Sequence, residues 1–198
     1  MSYLCQMAPI KEDQILKAAL ELFQQHGFSK VTMDDVAKAI GMGRSSLYYY
    51  YKSKEEIFDA VMDMEIAEIL AETGRAVNEV SSVEEKIRVF CITKINTHLR
   101  KKVVYNALEA GMDAEALHAH AKIKQGVHQR YMKQEGALLR QILTEGIARG
   151  ELRDSPDLDT LIFVLLTALR GLKKEMVIEW RASAVETLAN LIVNGLKK

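Results

Sequence analysis

Side chains able to touch a nucleic acid crowd one short stretch, GRSSLYYYYKSKEE, at residues 43–56. Arg44 carries a planar fork of donors that fits O6 and N7 of guanine. The hydroxyls of Ser45, Ser46 and Tyr48 can approach base edges beside it. Four of the chain's seven tyrosines stand in a row, Tyr48 to Tyr51. Successive residues on a helix point about 100° apart, so these four rings cannot all enter a core. Tyr49 and Tyr50 are therefore expected to turn outward, where their hydroxyls suit phosphate oxygens. Lys54, in the first turn of the next helix, adds an ammonium beside unpaired backbone N–H groups. Thr32 offers a further hydroxyl if helix capping leaves it free. Leu47 and Tyr51, four residues apart, share the inward face.

Elsewhere the reactive residue types read as structure. His118 and His120 lie two apart and face away from each other on a helix, and His98 has no ligand partner four residues on. No metal site is expected from them. His98 reads better as a polar group in an apolar pocket, with Phe90, Tyr105, Met112 and Tyr131 as companion candidates for binding a small molecule. Trp180 is a further one, and plain core or surface is the competing reading for each of these aromatic and methionine side chains. Cys91, close to Ile87 and Phe90, reads as a small buried hydrophobe rather than a redox switch. Cys5 falls in an N-terminal arm. Arg100, Lys101 and Lys102 read as a basic run at a helix C-terminus, where cations are favoured. Glycine-rich phosphate loops, HExxH and nucleophile elbows are missing, so neither an enzyme nor a bound cofactor is expected.

These residues need elements to hold them. The 198-residue chain is 48% hydrophobic and 27% charged, with only two prolines and little alternation of polar and apolar positions. That composition favours an all-α protein with a substantial core. Net charge is zero, with 27 basic and 27 acidic side chains. Residues 1–54 carry seven Lys/Arg against five Asp/Glu, or +2, and residues 55–198 carry 20 against 22, or −2. The apolar run LIFVLLTAL at 161–169 is about half of what a bilayer span needs, so no membrane association is expected. Isolated cysteines and no signal-like start point to a cytoplasmic protein.

Helical spacing of Ile15, Leu16, Ala19, Leu22 and Phe23 predicts a first helix ending at Gly27. Thr32 and Asp35 form a capping-box pattern that opens a two-turn helix closed by Gly41. A second short helix follows from Gly43 or Arg44 to about Tyr50. Two short helices joined by a tight glycine turn make a helix-turn-helix pattern, whose second helix enters the major groove. Ser53 with Glu56 and Ser82 with Glu85 are two more capping boxes, each opening a long helix. A short helix over 103–113, a long one over 115–149 and two apolar ones over 156–178 and 182–196 complete about nine. Ser155 is expected to cap the 156–178 helix, with Pro156 in its first turn.

The run ILKAALELFQQHGFSKVTMDDVAKAIGMGRSSLYYYYKSKEEIF, within residues 13–62, resembles the DNA-binding domain of the TetR family of transcriptional regulators. The family pattern is an apolar first helix ending F-x-x-x-G-F/Y, then T-x-x-x-I/V-A-x-x-A/L-G-V, then a recognition helix ending L-Y-x-x-F-x-s-K-e-x-L. Two positions depart from it. Tyr51 replaces the usual phenylalanine, so its hydroxyl needs a partner at the edge of the core. Gly43 replaces the usual Ser/Thr cap, which costs little.

The resemblance implies a helix-turn-helix domain over 8–54, its motif at about 31–50 and a linking helix continuing to about 78. A ligand-binding and dimerisation body would occupy 55–198. It implies a homodimer paired through the helices at 156–178 and 182–196. It also implies a repressor released from a palindromic DNA operator by a small-molecule effector. Thr32, Arg44, Ser45, Ser46, Tyr48, Tyr49, Tyr50 and Lys54 would form the DNA-contacting set. The alternative is an adaptor acting mainly through protein–protein assembly. The body matches the family only in its layout of helices and names no effector.

Overall fold

The computed structural model describes residues 12–109, 114–155, 157–176 and 182–198, with side chains described over these except at 102–109, 114–116, 119, 120, 124, 173–176 and 182. Among these residues eight helices form: α1 Glu12–His26, α2 Met33–Ala39, α3 Arg44–Tyr50, α4 Lys54–Asn78, α5 Val83–Glu109, α6 Ala114–Ala148, α7 Leu158–Met176 and α8 Ala182–Leu196. The chain divides into two compact units, one running through Glu65 together with Val104–Val127, the other comprising Ile66–Val103 and His128–Lys198.

In the first unit α1 buries Ile15, Leu16, Ala19 and Phe23, one stripe at helical spacing. Gly27 ends α1 with φ 79°, a conformation that a side chain would strain. Phe28 then folds back. Its ring meets Phe23 at 5.4 Å and Phe58 of α4 at 5.0 Å, and Phe23 meets Phe58 at 5.7 Å. Tilted and edge-on contacts like these strengthen a small core beyond its buried area. Gly41, with φ 65°, supplies the turn after α2. Its N–H bonds Lys38 O and the next N–H, of Met42, bonds Ala37 O at 2.8 Å, a Schellman closure.

The second unit packs Ile87, Phe90, Cys91 and Ile95 of α5 against Leu139, Ile142 and Leu143 of α6, with Ile162, Leu165, Leu166 and Leu169 of α7 and Val185, Ala189, Ile192 and Val193 of α8. Gly146 marks the tightest point. A Cβ there would stand 2.6 Å from Val83 Cγ1 and 2.8 Å from Leu152. Lys94 and Glu135 form a buried ion pair between α5 and α6, their side chains only 5% and 3% exposed. The Lys94 ammonium also lies 5.1 Å from the centre of the Tyr131 ring.

The sequence predicts about nine helices, and eight form among the described residues. Of the separate helix expected at 103–113, residues 103–109 are the last part of α5, because no glycine or proline interrupts 83–109, and 110–113 lie outside the described residues. Arg100 and Lys101 therefore lie within a helix and not at its end. Arg100 bonds Glu72 at 2.6 Å and Lys101 bonds Glu68 at 2.9 Å, both on α4. The cap of α7 also differs from expectation. Asp157, not Ser155, accepts the Thr160 N–H at 2.9 Å, and a carboxylate two residues nearer the apolar stripe starts the helix later. Pro156 lies outside the described residues.

Candidate nucleic-acid interface

Capping fixes both short helices of the head. Thr32 Oγ1 accepts the Asp35 N–H at 3.2 Å, while Asp35 Oδ2 accepts the Thr32 N–H at 2.9 Å and its hydroxyl at 2.7 Å. The Asp35 carboxyl is held below the usual range, first by the Thr32 hydroxyl and then by its backbone N–H. The condition set for Thr32 is thus not met in this state, because the box already takes its hydroxyl proton. Helix α3 has Gly43 as N-cap with no side-chain cap. At its other end the Lys52 ammonium donates to Tyr48 O at 3.0 Å. Ser53 accepts the Glu56 N–H at 3.2 Å, yet the Glu56 carboxylate reaches back to Lys52 N–H at 2.6 Å rather than to Ser53.

The faces of α3 separate by burial. Leu47 is fully enclosed and Tyr51 is 6% exposed, as their spacing predicts. Tyr49 is 79% exposed and Tyr50 41%, their rings edge-on at 5.4 Å. Arg44, Ser45 and Ser46 are exposed and Tyr48 is half-buried. Arg44 Nε bonds Asp34 Oδ1 of α2 at 3.2 Å, and its guanidinium carbon lies 5.6 Å from the Tyr48 ring centre. The Tyr48 hydroxyl followed by Asp34 raises the Arg44 pKa, so its charge is fixed.

Two side chains act differently from the simplest reading. The Tyr51 hydroxyl finds its partner in Glu12 of α1, donating to Oε1 at 2.7 Å. Burial, then Glu12, pushes the phenol well above its ordinary value. The Lys54 ammonium donates to Phe28 O at 2.9 Å and Ser29 O at 3.4 Å, and sits 4.4 Å from the Phe28 ring centre. Burial lowers its pKa. It pins the α1–α2 turn to α4, and only part of its donor capacity points elsewhere.

Residues 15–61 match the family described as bacterial regulatory proteins, tetR family. The chain carries a TetR-family DNA-binding domain. It is a DNA-binding transcriptional regulator, and the matched residues hold α2, α3 and the Phe23–Phe28–Phe58 core of the first unit. It is 24% identical over 144 residues to the fatty acid metabolism regulator protein of Bacillus subtilis, covering 73% of this chain and 72% of that one. Over 47 residues it is 40% identical to the biofilm operon icaADBC negative transcriptional regulator IcaR of Staphylococcus epidermidis, about a quarter of each chain (24% and 25%). The fold resembles that of FadR from Bacillus subtilis, solved with stearoyl-CoA, with a TM-score of 0.64 at 20% identity over 93% of this chain and 99% of that one.

The residues read as an effector pocket are less assembled. Phe90 is 1% exposed inside the core, while His98 and Tyr131 are half-buried. The Tyr105 side chain and Met112 lie outside the described residues, as do Trp180, Cys5 and the His120 side chain. His118 is exposed on α6. Among the described residues no three His, Cys, Asp or Glu side chains are grouped to hold a metal, and no helix is long and apolar enough to cross a membrane. Cys91 is buried and its thiol is pushed up to about 12 by burial, so it stays protonated at neutral pH. An open groove of about 560 Å³, lined by Leu22, Val31 and Lys38 among others, involves none of the proposed DNA contacts.

Proposed function

We propose that the chain is a repressor that grips a palindromic operator as a homodimer and leaves it when a small molecule binds the body. The observation that carries the DNA-contact reading is the exposed side of α3. Two tyrosines stay 79% and 41% open to solvent next to Arg44 and two serines, on a helix whose other side is sealed by Leu47. Arg44, Ser45, Ser46 and Tyr48 would meet bases, while Tyr49 and Tyr50 would meet phosphates. Lys54 would both hold the α1–α2 turn and lend its remaining N–H to a phosphate. Thr32 would reach a phosphate only by exchanging its Asp35 partner.

The dimer reading rests on α7 and α8. Each buries one stripe within its own chain, yet Phe163, Val164 and Leu191 remain 64%, 52% and 66% exposed. A second copy would cover them and set two α3 helices about 34–36 Å apart or a multiple of it. Effector release requires unequal affinity for two states of the dimer. Stearoyl-CoA, the ligand of the FadR structure, is the first probe to try. A gel shift on the chain's own promoter region tests the reading. A specific complex that stearoyl-CoA or another small molecule dissolves supports it. The absence of any specific complex favours the adaptor alternative.

A further inference from the structure

The Arg44–Asp34 pair has a role that folding does not explain. Its side chains are 63% and 44% exposed, and pairs so open to water add little to stability. Asp34 also sets a negative charge beside the face assigned to DNA, where it repels phosphates and weakens binding to every sequence. What the pair does provide is orientation. Guanidinium donors lie in one plane with fixed edges. Asp34 takes the Nε edge at 3.2 Å, and the Tyr48 ring lies 5.6 Å from the guanidinium carbon. The hydrogen bond from NH2 to the Tyr48 hydroxyl is long, 3.5 Å, and easily shared. The end carrying both terminal nitrogens is left to fork onto one guanine.

The geometry points to Asp34 as a specificity-determining residue that holds Arg44 by Nε and presents its two terminal nitrogens together to guanine. This rests on the operator-binding reading above and adds a residue of α2 to it. Losing a carboxylate beside DNA normally strengthens binding everywhere. Here it should strengthen binding to unrelated duplexes while weakening discrimination at the guanine.

The test uses the full-length chain and a pool of duplexes with randomised centres. From these come the best-selected duplex, a scrambled duplex, and a duplex with the critical guanine replaced by adenine. Wild type should lose about tenfold or more on the guanine replacement. Arg44→Ala should be indifferent to it. Asp34→Asn should bind the scrambled duplex at least as tightly as wild type and keep only a small part of the guanine preference. Asp34→Glu, which restores the carboxylate, should recover some of that preference. Arg44→Ala with Asp34→Asn should read no differently from Arg44→Ala alone. The inference is overturned if Asp34→Asn discriminates like wild type. It is equally overturned if that variant gains as much on the selected duplex as on the scrambled one, which would make Asp34 a restraint rather than an aid. If Arg44→Ala keeps the guanine preference, the Arg44–Asp34 account falls and operator binding stands. If wild type enriches no sequence, the operator-binding reading falls with it.

Discussion

Tyr51 shows at the residue scale how far spacing carries and where it stops. Its inward direction follows from its distance to Leu47, but its partner Glu12 lies 39 residues away on another helix. No local pattern pairs them. Tyr51→Phe gives up one hydrogen bond to a carboxylate that returns to water, so urea unfolding should show a loss of about 0.5–1.5 kcal/mol. The phenol's pKa is raised in the folded chain from an ordinary 10.0. The folded state therefore keeps a proton that the unfolded state begins to release near pH 10, and stability falls as pH climbs above that value. Melting temperature followed from pH 8 to 11 should drop less steeply for Tyr51→Phe than for wild type. Lys54 is similarly twofold. Lys54→Ala should lower both melting temperature and DNA affinity, whereas Tyr50→Ala, at an exposed ring that lies edge-on to the still more exposed Tyr49, should lower affinity with little change in melting temperature.

At the scale of elements, the head was legible because its signals are local. Thr32 with Asp35, the positive-φ turns at Gly27 and Gly41, and the Ile15–Phe23 stripe each act within a few residues. The body was harder because its decisive contacts are remote. Lys94 reads as an oddity on an apolar stripe until Glu135, itself in line with Leu139 and Ile142, is seen against it. Breaking that pair by Glu135→Leu leaves a buried ammonium and should cost about 3–5 kcal/mol. Adding Lys94→Met should restore most of the loss, which chemical denaturation of both variants would show. The Ser155 cap failed for a local reason: Asp157 competes for the same helix start. Gly146 gave no sequence signal at all, since its need comes from Val83 and Leu152 packing against it. Gly146→Ala should destabilise by about 1–3 kcal/mol despite alanine's better helix propensity.

The whole molecule combines a DNA-contacting head with apolar surface left over on α7 and α8. Burial within one chain accounts for Ile162, Leu166 and Val185 but not for Phe163, Val164 and Leu191. Replacing Phe163 and Leu191 together by lysine should shift the chain from dimer to monomer in analytical ultracentrifugation and weaken operator binding in parallel. A dimer unchanged by both lysines would mean that the copies meet elsewhere. The head's small positive excess, +2 by sequence, implies that few phosphate contacts come from long-range charge and more from placed hydroxyls. The most direct measurement is therefore binding of the full-length chain to its selected duplex across a range of salt concentrations, for wild type, Tyr50→Ala and Arg44→Ala. The account predicts that Tyr50→Ala weakens binding to selected and scrambled duplexes alike, and that Arg44→Ala erases the difference between them. Equal binding of wild type to both duplexes, or a sequence preference untouched by Arg44→Ala, would contradict it.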